Sequence, residues 1–411
     1  MPTHPGNPPA TTRSASMDPL VITAHTLTSA AGTGIAANAE ALRSGTSGLR
    51  PCDLESVILD THIGRVPGVE AITLEGALAP FQCRNNQLAE LGLRQDGFAD
   101  AVAAAVERHG ADRVAVLLGT STSGIAATEA AYHRRDPQTG ALPPDYDYRH
   151  TQNMFSLADF VATRFGLSGP AMVVSTACSS SAKVFADARR YIAAGLCDAA
   201  VVGGVDSLCG MTLYGFNALQ LVAARPCTPL DRDRAGISIG EAAGFFLLER
   251  PSADATGPLL TGHGESSDAH HMSAPHPEGL GAATALQQAL VRAGRRGDAI
   301  DYVLMHATAT PANDGSEARA LVRSLGPNPR AVGTKGLTGH TLGAAGAVGV
   351  AQALASLDGG FVPPTAGLNT LDPDLGLDAR SEAEPRAVQR VLVNAFGFGG
   401  NNCSLLLEAA P

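Results

Sequence analysis

Along the chain, short apolar runs alternate with stretches whose apolar positions recur at helical spacing. Residues 20–24 read as a first strand and 34–43 as a helix, closed by the turn-like Ser44-Gly45-Thr46-Ser47-Gly48. From 49 to about 95 the pattern is irregular apart from a helix near 86–93, as in a segment that covers something. Residues 98–109 are helical, and 113–119 form a buried strand running into Thr120-Ser121-Thr122-Ser123-Gly124. A polar surface loop at 134–148 and a helix at 156–165 lead to an apolar strand at 171–174. Directly after it, residues 179–194 place Ala182, Phe185, Ala188 and Ile192 on one helical face, with Gly195 as the stop. Strands follow at 199–203, 243–248 and 259–264, with an apolar helix at 212–224. Beyond them lie helices near 282–293, 316–325 and 342–357, and strands near 302–307, 331–334, 391–395 and 403–407.

Strands alternating with helices predict an α/β protein of largely parallel sheets covered on both faces. The strand–turn–helix around Cys178 is echoed at 332–357, where His340 lies near the helix start much as Cys178 does in the first case. That echo predicts two similar halves stacked so that their helix N-termini meet. At 411 residues the chain also exceeds what one hydrophobic core usually serves. The division predicted is a disordered tail at 1–17, rich in Pro, Thr and Ser with Met17 as an alternative start, then halves at 18–265 and 266–411.

Composition narrows the function. A net charge of −10 argues against non-specific binding to nucleic acid or to an anionic membrane. No run of about 18 apolar residues and no basic-then-apolar leader pattern is present, so neither a membrane span nor a secretory signal is expected. Seven cysteines without a CxxC pair suggest neither a disulfide framework nor a zinc knuckle, and the cytoplasm is the expected location.

The chemistry centres on Thr176-Ala177-Cys178-Ser179-Ser180, where a strand end meets a helix N-terminus. Unpaired N–H groups and the positive end of the helix dipole favour a thiolate there and lower the thiol pKa. By itself the stretch fits a buried structural cysteine equally well. Three other segments stand out. Residues 305–314 run from a strand end through His306 into a hydroxyl-rich loop, and 333–346 are small residues around Lys335 and His340. Residues 394–402 form a strand followed by a glycine loop whose N–H groups could donate to an oxyanion. Taken singly, each histidine reads as structural and Lys335 as a solvated charge.

Together these segments resemble the β-ketoacyl-[acyl-carrier-protein] synthases, condensing enzymes of the thiolase-like superfamily. The nucleophile motif T-A-C-S-S/T matches Thr176 to Ser180, and the first histidine motif matches His306 to Thr310 with Asp314 and Glu317. The pattern K-x-x-x-G-H-x-x-G-A-A-G matches Lys335 to Gly346, and N-x-F-G-F-G-G-x-N matches Asn394 to Asn402. The resemblance covers nearly everything from about Leu20 onward.

It implies a thiolase-like fold of two similar α/β halves stacked as five layers, α-β-α-β-α. It implies decarboxylative Claisen condensation of a Cys178-bound acyl chain with malonyl-acyl carrier protein, in fatty-acid or type II polyketide or polyene elongation. His306 and His340 would be the neutral donors to the enolate, Lys335 and Glu317 the charged pair that orients them, and the Cys178 and Phe398 N–H groups the oxyanion hole. Phe398 would also be the gate between the acyl pocket and the malonyl side. Thr308 and Thr310 would hold the pantetheine arm, Phe396 and Gly399 would border the substrate, and Thr122 would lie at the far end of the acyl tunnel at a dimer interface. No cofactor or metal is implied, since the phosphopantetheine belongs to the carrier protein. Partners would be acyl carrier protein and a second subunit, identical or of the chain-length-factor kind.

Two features temper the match. Ala307 and Ala309 stand where the family often has glycine or serine, which would crowd the loop behind His306. His263, His270, His271 and His276 gather within 14 residues but without tight ligand spacing, so a zinc site is not expected. Competing readings are a non-catalytic chain-length partner, against which the retained Cys178 speaks, and a coenzyme A thiolase, whose second cysteine motif is missing from 394–402. Arg84, Arg134, Arg135, Arg225 and Arg232 are the basic residues considered for carrier-protein docking, with solvated surface as the default for each.

Overall fold

The computed structural model describes residues 17–252 and 257–410. The tail expected at 1–16 lies outside the described residues. Met17 belongs to the folded body: it is buried, and its N–H donates to Arg292 O at 2.8 Å.

Among the described residues, ten strands build two five-stranded arrays. The first comprises β1 (Leu20–Ser29), β2 (Val114–Gly119), β3 (Ala171–Val174), β4 (Ala199–Asp206) and β5 (Ala242–Glu249). The second comprises β6 (Leu259–Ser267), β7 (Tyr302–Leu304), β8 (Ala331–Val332), β9 (Arg390–Gly397) and β10 (Asn401–Glu408). The spatial orders are β3-β2-β4-β5-β1 and β8-β7-β9-β10-β6. The two orders are the same once strands are counted from the start of each array. Polarity repeats too: the outer three strands of each array run parallel, and the last two are joined antiparallel. The predicted duplication is therefore present. A short antiparallel contact, Leu20 with Leu260 and Val21 with Leu259, joins the arrays at β1 and β6.

The boundary expected between 265 and 266 needs correcting. It falls inside β6, whose ladder with β10 runs from Leu259 to Ser267, so the second array starts at Leu259.

Helices fill three layers around these arrays. On the outer face of the first array lie α1 (Arg84–Leu93), α2 (Phe98–His109) and α3 (Ser156–Phe165), which bury Leu88, Phe98 and Phe160 against Val116, Val201 and Phe245. Between the arrays sit α4 (Ser180–Ala193) and, from the second half, a long helix at Ala345–Gly359. A shorter helix, α5 (Gly210–Ala218), packs its Phe216 against Phe398. On the far face α6 (Leu280–Ala293) and α7 (Pro311–Leu325) cover Val303, Leu392 and Leu406. With Ala345–Gly359 as α8, the layers read α-β-α-β-α. The central helices meet at their N-termini. A Cβ on Gly346 would lie 2.5 Å from Ala182 N, so only glycine permits this crossing, and Ala347 N donates to Ser181 Oγ at 2.9 Å.

Two predicted elements end early, and a third opens differently. The strand expected at 302–307 stops at Leu304; Met305 N–H still reaches Val332 O, but Glu317 captures the N–H groups of His306 and Ala307. The helix expected at 212–224 is Gly210–Ala218, since Gln220 turns left-handed (φ 58°) and Leu221 pairs instead with Ile237. The helix expected from 342 starts as one 3-10 turn, Leu342–Ala344, before α8.

Candidate active site

The loops at the ends of β3, β7, β8 and β9 converge on one cavity of about 200 Å³. Cys178 enters it from the turn between β3 and α4, His306 from the end of β7, His340 from the loop before α8, and Phe396 and Phe398 from the end of β9. All three reactive side chains are buried. Next to them the backbone is held in the left-handed region at residues that have a Cβ: Ala177 (φ 51°), Ala307 (34°), Ala309 (64°) and Leu342 (53°). Such conformations persist only where surrounding bonds enforce them, and here they lie within three residues of Cys178, His306 or His340. The loop behind His306, with alanines where glycine is common in the resembled family, is thus strained rather than merely crowded.

His340 Nε2 lies 3.1 Å from Cys178 Sγ. On the other side of the ring, Nδ1 accepts the N–H of Leu342 at 3.1 Å. A neutral imidazole whose Nδ1 is an acceptor carries its proton on Nε2, so His340 donates toward the sulfur. His306 is locked in the same sense. Lys335 Nζ donates to His306 O and sits 3.4 Å from its Nδ1, which leaves Nε2–H to face the cavity. The two rings stand edge-on, centroids 5.1 Å apart. Burial, together with the Lys335 charge, holds both imidazoles well below the usual histidine range, so both are neutral near pH 7.

Cys178 departs from the expectation of a lowered thiol pKa. Burial pushes it up to about 11, against the opposing pull of Lys335 and of the Phe398 and Cys178 N–H groups that face the sulfur. The resting group is therefore a thiol, because desolvation of the anion outweighs the helix terminus.

Lys335 and Glu317 do not pair with each other; each grips His306. Glu317 accepts the N–H of His306 (2.8 Å), that of Ala307 (2.9 Å) and Asn394 Nδ2 (3.0 Å), and burial raises its pKa to about 7. Lys335 holds the carbonyl, and burial lowers its pKa.

The remaining expected residues divide. Thr308 and Thr310 line the cavity with their hydroxyls 2.9 Å apart, and Phe396 lines it with its ring 6.3 Å from that of His306. Phe398 lines it and packs on Phe216 of α5 at 5.4 Å. Gly399 does not reach the cavity wall; its N–H donates to Met272 O in a left-handed turn (φ 77°). Thr122 is also away from the wall, buried and bonded to Asp206 through both its N–H and its hydroxyl. Sequence reasoning missed Phe216, Leu221 and Ile237, apolar residues that also line the cavity. The apolar character of the 212–224 segment was the signal for Phe216 and Leu221; Ile237 lies outside that segment and carried none.

Cys178, His306 and His340 are the only three such side chains close enough to share a metal ion among the described residues, their nearest ligand atoms lying within 4.8 Å. The tautomers argue against a metal, since both Nε2 atoms present protons and an ammonium lies behind His306. The 263–276 histidines do not converge: His263 is buried with Nδ1 3.1 Å from the Met17 sulfur, while the His270 and His276 rings pair at 5.1 Å. Among the basic residues considered for docking, Arg84 is committed to Glu241 and Glu70, and Arg134 pairs with Asp145. Arg135 and Arg225 are exposed.

Residues 17–254 match the beta-ketoacyl synthase N-terminal domain and 259–369 the beta-ketoacyl synthase C-terminal domain. The chain belongs to the β-ketoacyl synthase family. Among relatives of this family, a 3-oxoacyl-[acyl-carrier-protein] synthase 2 of Vibrio cholerae is 33% identical over 74% of this chain and 77% of its own length. That of Rhizobium meliloti is 35% identical over 71% and 73%. Among solved structures, the Xenorhabdus doucetiae ketosynthase in complex with its chain length factor matches at TM-score 0.84 and 34% identity, covering 96% of this chain and 98% of that one. The ishigamide ketosynthase/chain length factor matches at TM-score 0.88 and 28% identity, covering 96% and 100%. The thiolase-like fold and the condensing, acyltransferase character of this β-ketoacyl synthase follow from these matches, and the family works without a resident cofactor. No helix among the described residues is long and apolar enough to cross a membrane.

Proposed function

We propose that the protein elongates acyl chains carried on acyl carrier protein, through an acyl thioester on Cys178. The observation that carries this reading is one sulfur 3.1 Å from a protonated Nε2 in a cavity that a second protonated Nε2 also faces. In the first half-reaction the sulfur attacks the acyl thioester. The tetrahedral oxyanion forms against the Cys178 and Phe398 N–H groups, and the thiol proton ends on the departing pantetheine sulfur. In the second, a malonyl thioester loses CO2 and the electron pair moves onto its carbonyl oxygen. His306 and His340, neutral and donating, stabilise that enolate without delivering a proton that would quench it. The carbanion then attacks the acyl carbon, the Cys178 thiolate leaves, and a 3-ketoacyl product two carbons longer is released.

Lys335 and Glu317 keep His306 in place, Thr308 and Thr310 offer hydroxyls to the pantetheine arm, and Phe396 and Phe398 border the reacting carbons. The pathway is fatty-acid or type II polyketide or polyene elongation in the cytoplasm. The partners are acyl carrier protein and a second thiolase-fold subunit, either a copy of this chain or a chain-length-factor type. The presence of Cys178 favours a catalytic subunit over the non-catalytic chain-length partner.

Intact-mass measurement after incubation with a panel of acyl-carrier proteins tests the reading. The wild-type protein should gain one acyl mass and Cys178→Ala none; an adduct persisting on the alanine variant would refute the assignment. His340→Ala should spare self-acylation more than malonyl decarboxylation.

A further inference from the structure

Asp206, the last residue of β4, is completely buried and has no ion-pair partner, unlike the buried Glu241 beside Arg84 or Asp314 beside Arg234. Its charge is held by N–H and O–H donors alone. Oδ1 accepts Thr120 Oγ1 (2.6 Å), Ser121 N (2.7 Å), Thr122 N (2.9 Å) and Thr122 Oγ1 (2.9 Å). Oδ2 accepts Ser121 Oγ and, from the other half of the molecule, Gly343 N at 2.5 Å. Burying a carboxylate is costly unless such donors saturate it, so the arrangement invites the question of what it holds.

We propose that Asp206 is a positioning residue for His340: its carboxylate clamps the loop after His340 onto the loop after β2, across the junction of the two halves. The inference rests on the function proposed above. The route is short. Gly343 N–H is tied to Asp206, which holds the preceding Leu342 in its left-handed turn, and that turn directs Leu342 N–H onto His340 Nδ1. Occupying Nδ1 keeps the ring proton on Nε2, facing Cys178. Releasing Gly343 frees Leu342 to relax toward an ordinary conformation and removes the donor that fixes the tautomer. Asp206 also bears on the sulfur electrostatically, its charge disfavouring the thiolate.

Two variants separate these effects. In Asp206→Asn the amide NH2 must face an N–H donor on whichever side it lies, so the clamp opens and the charge is lost. In Gly343→Ala the charge stays, but the new Cβ would lie 2.8 Å from both Asp206 Oδ2 and Ser121 N, which prises the loop away. Each purified variant is assayed with malonyl- and acyl-carrier protein, and with iodoacetamide across a pH series. Both should lose malonyl decarboxylation by about tenfold or more, the scale of an ångström-level misplacement, while self-acylation changes by less than about threefold. The alkylation-rate line should move to lower pH in Asp206→Asn and not in Gly343→Ala. If Asp206→Asn does not fold, Gly343→Ala still decides the matter through the ratio of the two half-reactions. Wild-type decarboxylation in both variants, or equal loss of both half-reactions, overturns the proposal. A wild-type protein that neither acylates nor decarboxylates overturns the underlying function instead.

Discussion

Gly397 lies against the turn that carries Cys178, the proposed nucleophile, and adding one methyl group there tests how tightly the sulfur and the proposed oxyanion donors are held. A Cβ at this position would lie 2.8 Å from Thr176 O, 3.1 Å from Cys178 N and 3.2 Å from Ser179 N. The glycine's own backbone is extended (φ −114°), so alanine suffers no conformational strain and the effect is purely steric. Ordinary contact begins near 3.4 Å, so the Thr176 carbonyl must give way by about 0.6 Å and the Cys178 N–H by about 0.3 Å. Overpacking of this kind costs roughly 1–3 kcal/mol of stability. The larger effect is kinetic. The displaced N–H is one of the two proposed oxyanion donors, and loss of such a donor costs about 10²–10³ in rate. Because the displacement is partial, Gly397→Ala should acylate itself about 10- to 100-fold more slowly than wild type. A single-turnover time course of the acyl adduct by intact mass reads this, with a thermal melt to establish that the variant is folded. A folded variant that acylates at the wild-type rate would show that the Cys178 N–H takes no part in the reaction.

Two further outcomes follow from the site. With the thiol pushed up to about 11, the rate of Cys178 alkylation by iodoacetamide should climb about tenfold per pH unit from 7 to beyond 9; a plateau near pH 7 would mean that the helix terminus outweighs burial. Ala309→Gly should stabilise the protein by about 0.5–1 kcal/mol in denaturant melts, because relief of the left-handed strain at φ 64° exceeds the entropy that glycine adds to the unfolded chain; unchanged or lower stability would mean that the alanine methyl packs well enough to offset its strain.

The periodic elements were legible in the chain because their cause is local. The helices at 98–109 and 156–165 and the strand at 171–174 carry their own apolar periodicity, and the structure reproduces those bounds. The ends of β7 and β8 were not legible, since backbone N–H groups there are taken by groups distant in sequence, as Glu317 takes those of His306 and Ala307.

The residue types of the site, a cysteine at a strand–helix junction and two histidines in small-residue loops, were determined by the sequence alone, as were the α/β alternation and its repetition. Tertiary structure alone decided the ionisation of those groups and the company they keep. Cys178 is a thiol because of how deeply it is buried, and His340 presents Nε2–H because Leu342 N–H covers Nδ1. Asp206 reaches Gly343, 137 residues further along the chain, only because the two halves close on each other. Burial and through-space bonding are sums over neighbours that no local window of residues contains.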